Sequence, residues 1–495
     1  MTMMLVLPVV LPLLAAALCI LTGSSRAAQR TIGLTTLAVL VPISIVILVH
    51  VDDHGVLVVQ SGDWPAPMGI TIVADRLSAI MLVTAEVVLL AVLVYAIGQP
   101  GAERNHVGFQ SIYMILAAGV AASFLTGDLF TLFVAIEMML TASYVLLTLG
   151  GRLAQVRAGM TYVVISLIAS VLFLVALALT YAATGTVNMA DLADRIAVLP
   201  AGLRAALAGL LLVVFGIKAA IAPLYFWLPD SYPTAPSAVT AIFAGLLTKV
   251  GIYAIIRTQT VLFPPDTRIG TILLVAAGAT MLIGVLGAIA QEDVRRTFSF
   301  YIVSQIGYII MGLGLFTVAG LAGAVFAIVH HIVVKTTLFL VGGLVEHTGG
   351  SSRLSRLGGM AAATPSLAVL FLLPALSLAG IPPFSGFAAK FGLFDATAES
   401  HQWTILAVAV IVSLLTLFSI FKVWIAVFWR PREAPGAIPV RRAPALMVVP
   451  TAVLAVLTLA IGLGAGPLYR LSDRAAADLV DPAQYRDAVL GEAAP

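Results

Sequence analysis

Long apolar stretches recur along almost the whole chain, and this feature constrains the fold more than any other. The stretches 2–22, 81–94 and 269–290 are almost continuously apolar. Strands of a membrane β-barrel alternate polar and apolar residues, so continuous stretches predict membrane-spanning helices instead. Of 495 residues, 61% are hydrophobic and only 10% are charged. A soluble globular protein carries about 25% charged residues, so this composition predicts an all-α integral membrane protein.

The number of spans follows from the length of the chain. A span of about 20 apolar residues with a short loop takes roughly 35 residues, which makes room for about fourteen helices. Apolar runs read against turn residues place these helices along the sequence. The predicted spans are 2–22, 31–51, 72–97, 107–126, 128–150, 157–184, 203–228, 233–258, 270–290, 297–317, 320–346, 363–397, 402–428 and 446–468.

The arginines predict an orientation in the membrane. Arg26 and Arg30 follow the first span and no basic residue precedes it, which is the wrong layout for a cleaved signal peptide. With the N-terminus outside, 13 of 21 arginines fall on the cytoplasmic side, as the positive-inside rule requires. Both termini are then external, as are the acidic loop 52–71 and a polar surface segment at 470–495. The cytoplasmic arginines are Arg26, Arg30, Arg104, Arg152, Arg157, Arg295, Arg296, Arg353, Arg356, Arg430, Arg432, Arg441 and Arg442, and those that oppose this orientation are Arg195, Arg204, Arg257 and Arg268.

The lysines are distributed differently from the arginines. All five lie inside apolar segments, where a lysine can lose its proton and an arginine cannot. GC-rich codon usage accounts for the scarcity of surface lysines, but it does not account for the five that remain. This pattern indicates proton chemistry within the membrane. The five are Lys218, Lys249, Lys335, Lys390 and Lys422.

Two predicted spans are interrupted in a similar way. Pro223 breaks the seventh span shortly after Lys218, and Pro382 and Pro383 break the twelfth span before Lys390. Paired broken helices are typical of inverted repeats with a transport site near the middle of the membrane. The alternative is that the prolines simply kink two packed helices. The predicted organisation is an N-terminal segment of residues 1–106, two five-helix repeats 107–258 and 259–428, and a C-terminal segment of residues 429–495.

Charged side chains within the spans are the candidate functional residues, because each is costly to place in a membrane. Glu137 in the fifth span and Lys218 in the seventh are expected to pair. In the eleventh span, His331 and Lys335 are four residues apart and share one helix face. Lys249 and Lys390 complete a predicted proton pathway. The alternatives are a static ion pair for Glu137 and Lys218, and structural pairing of the other lysines with carbonyls.

Several other polar residues are secondary candidates. His330 points away from His331 and is expected to contact a neighbouring helix. His347 is either a loop residue or an end of the pathway. Glu86, in the third span, is expected to face a partner subunit or a lateral water pocket. Lys422 is expected to anchor the membrane interface, and Asp230 to cap a turn.

Other chemistry is not indicated by the sequence. Cys19 is the only cysteine, so the chain can form no internal disulfide and cannot hold an iron–sulfur cluster by itself. The net charge of +3 does not suggest nucleic acid. The sequence has neither a phosphate-binding glycine loop nor Cys/His metal spacing, and no cofactor is expected. With Glu137 and Glu86 as the only deep carboxylates, the chain is better suited to H⁺ than to Na⁺.

Four segments resemble a known family. They are GIKAAIAPLYFWLPDSYPTAPSAVTAIFAGLLTKVGIYAIIR, DLFTLFVAIEMM, HHIVVKTTLFLVGG and AGIPPFSGFAAKFGLF. They are similar to the antiporter-like membrane subunits of respiratory complex I and of Mrp-type multisubunit Na⁺/H⁺ antiporters. The segment PLYFWLPDSYPTAP, followed by LLTKVGIYA, is most similar to the D subunits of the Mrp type. Relatives in complex I more often have a histidine in place of Tyr225.

The resemblance implies a role for each matching residue. Glu137 matches the family's glutamate of the fifth helix, Lys218 the lysine of the broken seventh helix, and Lys249 the central lysine. Lys390 matches the terminal lysine of the broken twelfth helix. His331 and Lys335 match the pattern of the eleventh helix, while His330 stands where a small hydroxyl residue is common. The family fold has fourteen helices with two inverted five-helix repeats.

The resemblance also implies a function. The expected protein is a non-enzymatic, proton-translocating subunit of a monovalent cation/proton antiporter in a bacterial cell membrane, with other membrane subunits and lipid as its partners. The alternative is a proton-pumping subunit of complex I or of a membrane-bound hydrogenase, driven by redox chemistry in its partners. A third alternative is a scaffold that conducts nothing.

Overall fold

The computed structural model describes residues 2–103, 108–431 and 441–491. Within these ranges, twelve helices are long and apolar enough to cross a membrane, and the two apolar helices Phe109–Leu125 and Pro365–Ala379 are shorter. The chain is therefore a multi-pass, almost entirely helical membrane protein. Two of the arginines predicted to be cytoplasmic, Arg104 and Arg432, lie outside the described residues.

The N-terminal region contains three long helices and a small hairpin. Strand β1 (Leu57–Gln60), in the loop that was predicted to be external, pairs antiparallel with strand β2 (Thr71–Ala74), at the start of the predicted third span. The third span was predicted from residue 72, but its helix begins only at Arg76. Asp75 ends the strand and caps the helix, since its side chain accepts from the Ser78 N–H. The helices are α1 (Thr2–Leu21), α2 (Arg26–His54) and α3 (Arg76–Gly98).

The next region contains the first broken span. Its last helix includes π-helical turns at Phe243–Leu247 and Thr258–Leu262. The helices are α4 (Phe109–Leu125), α5 (Leu129–Thr148), α6 (Leu153–Thr184), α7 (Met189–Ala197), α8 (Ala201–Ala219), α9 (Trp227–Ser231), α10 (Ser237–Ile242) and α11 (Thr248–Arg257).

The third region contains the second broken span. Its central helix, α14, is buried from Gly320 to Val345, so it lies inside the bundle and not against lipid. A π-helical turn, Ile425–Trp429, extends the last helix. The helices are α12 (Thr267–Ala290), α13 (Val294–Gly314), α14 (Val318–Gly349), α15 (Met360–Ala363), α16 (Pro365–Ala379), α17 (Ser385–Glu399) and α18 (Trp403–Trp424).

The two breaks have the same hydrogen-bonded ends. After α8, Ala220 is left-handed with φ 59°, and the Ile221 N–H returns to the Gly216 carbonyl. After α16, Gly380 is left-handed with φ 87°, and the Ile381 N–H returns to the Leu376 carbonyl. Each is a Schellman-type ending, which stops a helix while satisfying its last carbonyls.

A second pair of contacts matches between the same two regions of the chain. Asp128, before α5, forms an isolated antiparallel bridge with Asn188, after α6. Asp293, before α13, forms the same kind of bridge with Arg353, after α14. Asp128 and Asp293 also cap the helices that follow them.

The C-terminal region differs from the polar surface segment that was predicted. The last span was predicted to end at residue 468, but its helix ends at Leu463, and an amphipathic helix then packs against α14 and α3. Ala475, Ala476 and Leu479 are buried in this contact, so residues from 470 to 491 cover one end of the bundle. The helices are α19 (Ala445–Leu463), α20 (Ala465–Val480) and α21 (Ala483–Leu490).

Candidate functional site

The first element of the site is an acidic–basic pair joined by a serine. Lys218 Nζ of α8 lies 3.8 Å from Glu137 Oε1 of α5, so the predicted pairing is present. Ser170 of α6 donates to Glu137 Oε1 and accepts from Lys218 Nζ at 3.1 Å. Glu137 is 26% exposed and Lys218 only 7%. The Ser170 hydroxyl therefore lies between the two charged groups and is hydrogen-bonded to both of them.

Ser170 was not predicted from the sequence. Its signal is the spacing of Ser166 and Ser170, one turn apart in the apolar middle of α6. The Ser166 carbonyl also accepts from Lys218 Nζ, at 3.3 Å.

A close helix approach places Lys249 next to the first break. A Cβ at Gly251 would lie 2.7 Å from the Ala219 nitrogen, so only glycine allows α11 this close to the end of α8. A cavity of about 20 Å³ lies at this contact and is lined by Lys218 and Gly251, among others. This volume is enough for about one water molecule.

Lys249 itself is held by backbone. Its Nζ donates to the Ala244 carbonyl at 2.6 Å and to Thr248 Oγ1 at 3.3 Å. Ala244 belongs to the π-helical turn Phe243–Leu247, and such turns disturb the regular bonding of carbonyls within a helix. The contact agrees with the carbonyl pairing weighed for this lysine, and it leaves the amine without a carboxylate partner among the described residues.

Helix α14 carries the histidines and the next lysine. His330 makes the predicted helix contact, since its Nδ1 lies 2.8 Å from Ser385 Oγ of α17. The His331 ring lies 5.0 Å from the His330 ring. Lys335 is buried, and its Nζ has no hydrogen-bond partner within the described chain. The amine instead lies 5.3 Å from the centre of the Tyr301 ring of α13, in cation–π geometry.

Lys390 uses the second break. Its Nζ donates at 2.9 Å to the carbonyl of Ala379, the last residue of α16, and at 2.9 Å to Ser413 Oγ of α18. The broken helix thus provides a carbonyl that a continuous helix would use internally. The amine also lies 5.2 Å from the Tyr308 ring of α13. Among the described residues, no hydrogen bond joins any two of Lys249, Lys335 and Lys390 to each other.

The secondary candidates lie in different places. Glu86 does not face a surface, because α3 packs inside the N-terminal bundle and buries the residue completely. Both of its carboxyl oxygens lack a partner within the described ranges. His347 is half-buried and lines a polar cavity of about 300 Å³ together with Arg152 and Arg295.

Two other residues considered in the sequence have specific partners in the structure. Lys422 is half-buried and donates to the carbonyls of Ile289 and Gln291, at 2.7 and 3.0 Å. It therefore binds the C-terminal end of α12, where carbonyls lack helical partners. Asp230 was expected to cap a turn, but within the described ranges its side chain accepts no capping hydrogen bond and pairs instead with Arg296 at 2.8 Å on the surface.

A second charged cluster lies at the end covered by α20 and α21. Arg257 forms two hydrogen bonds to the Asp75 carboxylate, at 2.5 and 2.7 Å, and both residues are buried. Burial alone would raise the pKa of Asp75, but the Arg257 guanidinium and Ser78 hold this pKa below its usual value. The Tyr485 ring of α21 lies 5.2 Å from the guanidinium carbon. From the sequence, Arg257 was only a topology signal, because its partner is far away along the chain.

Comparisons with known proteins agree on one family. A profile described as NADH:quinone oxidoreductase/Mrp antiporter, transmembrane, matches residues 126–416. The D subunit of the Na⁺/H⁺ antiporter of Alkalihalophilus pseudofirmus is 42% identical over 98% of this chain and 99% of its own length. The D subunit of the Na⁺/H⁺ antiporter of Bacillus subtilis is 36% identical over 98% and 99%. A chain in the solved Mrp complex of Dietzia sp. DQ12-45-1b has 37% identity and a TM-score of 0.94, covering 99% of this chain and 100% of its own.

Proposed function

The chain belongs to the NADH:quinone oxidoreductase/Mrp antiporter transmembrane family, and we propose that it is the D subunit of a multisubunit Na⁺/H⁺ antiporter. It acts as a transporter subunit in a larger membrane complex, not as a catalytic enzyme. The similarity to two proteins named as antiporter D subunits supports this assignment over nearly the whole chain. The observation that carries proton movement is the contact of Glu137, Ser170 and Lys218, followed by three further buried lysines on separate helices.

The proposed pathway begins at Glu137. A proton that reaches its carboxylate removes the attraction across the 3.8 Å to Lys218. Ser170 can still donate to the protonated carboxyl group and accept from Lys218, so it links the two side chains in both states. The change in charge next to Gly251 alters the field at Lys249, and charge passes on through His331 and Lys335 to Lys390. A charge that crosses the membrane gains or loses about 2.3 kcal/mol per 100 mV, which couples the pathway to the membrane potential.

The proposed architecture has fourteen spans and two inverted repeats. The shorter helices α4 and α16 supply the spans that the length criterion leaves out. The repeats are 107–258 and 259–428, between an N-terminal segment of residues 1–106 and a C-terminal segment of residues 429–495. Support comes from the matching ends at Ala220 and Gly380 and from the matching bridges at Asp128 and Asp293.

The proposed location is the bacterial cell membrane, with both termini outside. Two of the arginines that oppose this orientation form ion pairs. Arg257 pairs with Asp75 in the interior, and Arg195 pairs with Asp191 one turn away at 2.9 Å. The proposed partners are the other subunits of the antiporter, and the transported ions are H⁺ and, through the complex, Na⁺.

The deciding experiment measures Na⁺-driven pH change in vesicles that contain the intact complex. Glu137→Gln keeps the size of the side chain but cannot carry a proton, so we expect it to abolish the pH change. Glu399→Gln changes an exposed carboxylate at the end of α17 and should leave the pH change intact. Transport that survives in Glu137→Gln, with normal assembly, would remove Glu137 from the pathway.

The family also contains membrane subunits of NADH:quinone oxidoreductases, which gives the alternative of a redox-driven pump. Flavin or iron–sulfur absorbance that copurifies with the complex, together with no response to Na⁺, would favour this alternative. The proposed pathway is the same in both cases, so only the partners distinguish them.

A further inference from the structure

One face of α13 lies next to two of the buried lysines. Tyr301, Gln305 and Tyr308 are spaced four and three residues apart, so their side chains project from the same side of the helix. Lys335 lies over the Tyr301 ring at 5.3 Å, and Lys390 lies over the Tyr308 ring at 5.2 Å. Gln305 is therefore placed between the positions of the two amines.

Gln305 also lies at the depth of His331. Helices α13 and α14 run antiparallel, with Tyr301 next to Lys335 and Gly312 packed on Gly320. Four residues from Tyr301 to Gln305 advance about 6 Å along α13. Four residues from Lys335 back to His331 advance the same distance in the same direction along α14. Gln305 thus faces the segment through which the proposed pathway runs.

The amide of Gln305 has unused hydrogen-bonding capacity. The residue is 1% exposed, and neither Oε1 nor Nε2 has a partner within the described chain. The amine of Lys335 is likewise buried and unpartnered. A buried amide and a buried amine without partners on facing helices are both unfavourable, and a hydrogen bond between them would satisfy both.

We propose that Gln305 is a relay residue, whose amide oxygen receives the Lys335 ammonium when that side chain turns from Tyr301 toward Lys390. The amide does not change its own protonation. It holds the charged amine at the depth of His331 and shortens the step to Lys390. This inference rests on the proposed proton pathway and adds a residue that carries no charge to it.

The test is Na⁺-driven pH change in vesicles with the intact complex, using two matched glutamines. Gln305→Leu removes the acceptor, and a hydrogen bond to a charged group corresponds to a factor of about ten to a hundred, so we expect a loss of that size. Gln110→Leu is the control. Gln110, on α4, is also 1% exposed with both amide atoms unpartnered, but it packs against Gly33 of α2, and its variant should transport normally.

A third variant separates a relay from a packing role. Gln305→Glu keeps the acceptor and adds a carboxylate, which favours the protonated amine and moves the pH of half-maximal transport to more alkaline values. The charged and titratable groups around Lys335 are His330, His331, Tyr301, Lys249 and Lys390, and all are unchanged in this variant. A packing role would lower the rate without moving this pH.

The outcomes are distinct. Equal transport in Gln305→Leu and Gln110→Leu overturns the inference, and so does an unchanged pH midpoint in Gln305→Glu. If Gln305→Leu does not assemble, the pH midpoint of Gln305→Glu decides alone. If the unsubstituted complex moves no protons, the proposed function fails and the relay with it.

Discussion

The buried lysines of this chain differ in what holds each amine. Lys218 shares a serine with a carboxylate, and Lys249 and Lys390 donate to carbonyls freed by irregular helix turns. Lys335 has an aromatic ring as its one polar contact within the part of the chain that the structure describes. The sequence predicted these lysines as candidates, because a charge in an apolar run stands out. It could not predict these partners, since carbonyls are present at every residue and only the fold decides which are free.

The buried pair of Arg257 and Asp75 also could not be predicted from the sequence. Asp75 and Arg257 are distant in sequence, and nothing in the local pattern of either residue indicates the other. Their contact depends on how α3 and α11 pack. The pair is bidentate and almost completely buried, with the Arg257 and Asp75 side chains 3% and 5% exposed. Loss of one partner would leave an unpaired charge in the interior, which is a large penalty.

Asp75→Asn is therefore expected to destabilise the protein by about 3–5 kcal/mol, because it leaves the Arg257 charge buried without its counter-charge. Thermal unfolding in detergent measures the change. Asp194→Asn is the control, since Asp194 is 56% exposed in its pair with Arg486 and should change stability by about 1 kcal/mol or less. Similar melting temperatures for the two variants would show that the buried pair is not stabilising.

The same pair predicts an acid-sensitive step. The pKa of Asp75 is lowered in the folded protein, so its contribution is complete above the usual aspartate pKa of about 3.9. The contribution is lost as pH falls below that value, through the lower pKa of the folded state. Asp75→Asn should flatten the dependence of stability on pH in this acid range, and an unchanged slope would contradict the assignment.

At the scale of elements, the sequence predicted the positions of the helices. It predicted the breaks at the prolines but not the π-helical turns. Apolar runs located the long helices, because a membrane requires continuous hydrogen-bonded helix. The hairpin β1–β2 was missed because β2 continues directly into α3, and only the cap at Asp75 separates them. The π-helical turn before Lys249 was missed because helix and π-turn have the same apolar pattern.

The contact of α11 with the first break depends on Gly251. A methyl group there would lie 2.7 Å from the Ala219 nitrogen and 2.9 Å from the Lys218 carbonyl carbon, which are backbone atoms that cannot turn aside. Gly251→Ala should destabilise the protein by about 1–3 kcal/mol through overpacking, and it should lower transport by moving Lys249 away from Lys218.

Thermal unfolding and transport in vesicles measure both effects of Gly251→Ala. Gly209→Ala on α8 is the matched control, because no atom lies within 4 Å of its added carbon. That variant should be neutral or more stable by up to about 1 kcal/mol, since alanine favours a helix over glycine. If both variants transport normally, the close approach at Gly251 is not needed for the pathway.

At the scale of the whole molecule, helix α3 extends from one end of the bundle to the other and makes a contact at each end. At its start, Arg76 binds Asp478 of α20, and at its end, Gly98 packs on Leu446 at the start of α19. These contacts lie about 35 Å apart along a helix of 23 residues. The order of the predicted spans assigns each charged residue to one end of the bundle. The sequence could not show that α20 folds back onto the bundle.

The proposed orientation can be tested by cysteine labelling in cells. The native Cys19 is buried, so a new surface cysteine gives the signal. Asp481→Cys, on the end with Arg76, should react with an impermeant reagent in intact cells. Arg442→Cys, on the end with Gly98, should react only after the cells are opened. The reverse pattern would place both termini in the cytoplasm.

The cover formed by α20 and α21 has a consequence for how the protein is made. Asp52, Asp75 and Arg257 precede α20 and α21 in the chain and are synthesised before Arg474, Asp478 and Tyr485. Until these two helices are made, this end of the bundle lacks its cover, and Arg76 and Arg257 lack their contacts with Asp478 and Tyr485. The charged cluster at this end is therefore completed only after the helices that α20 and α21 cover have been synthesised.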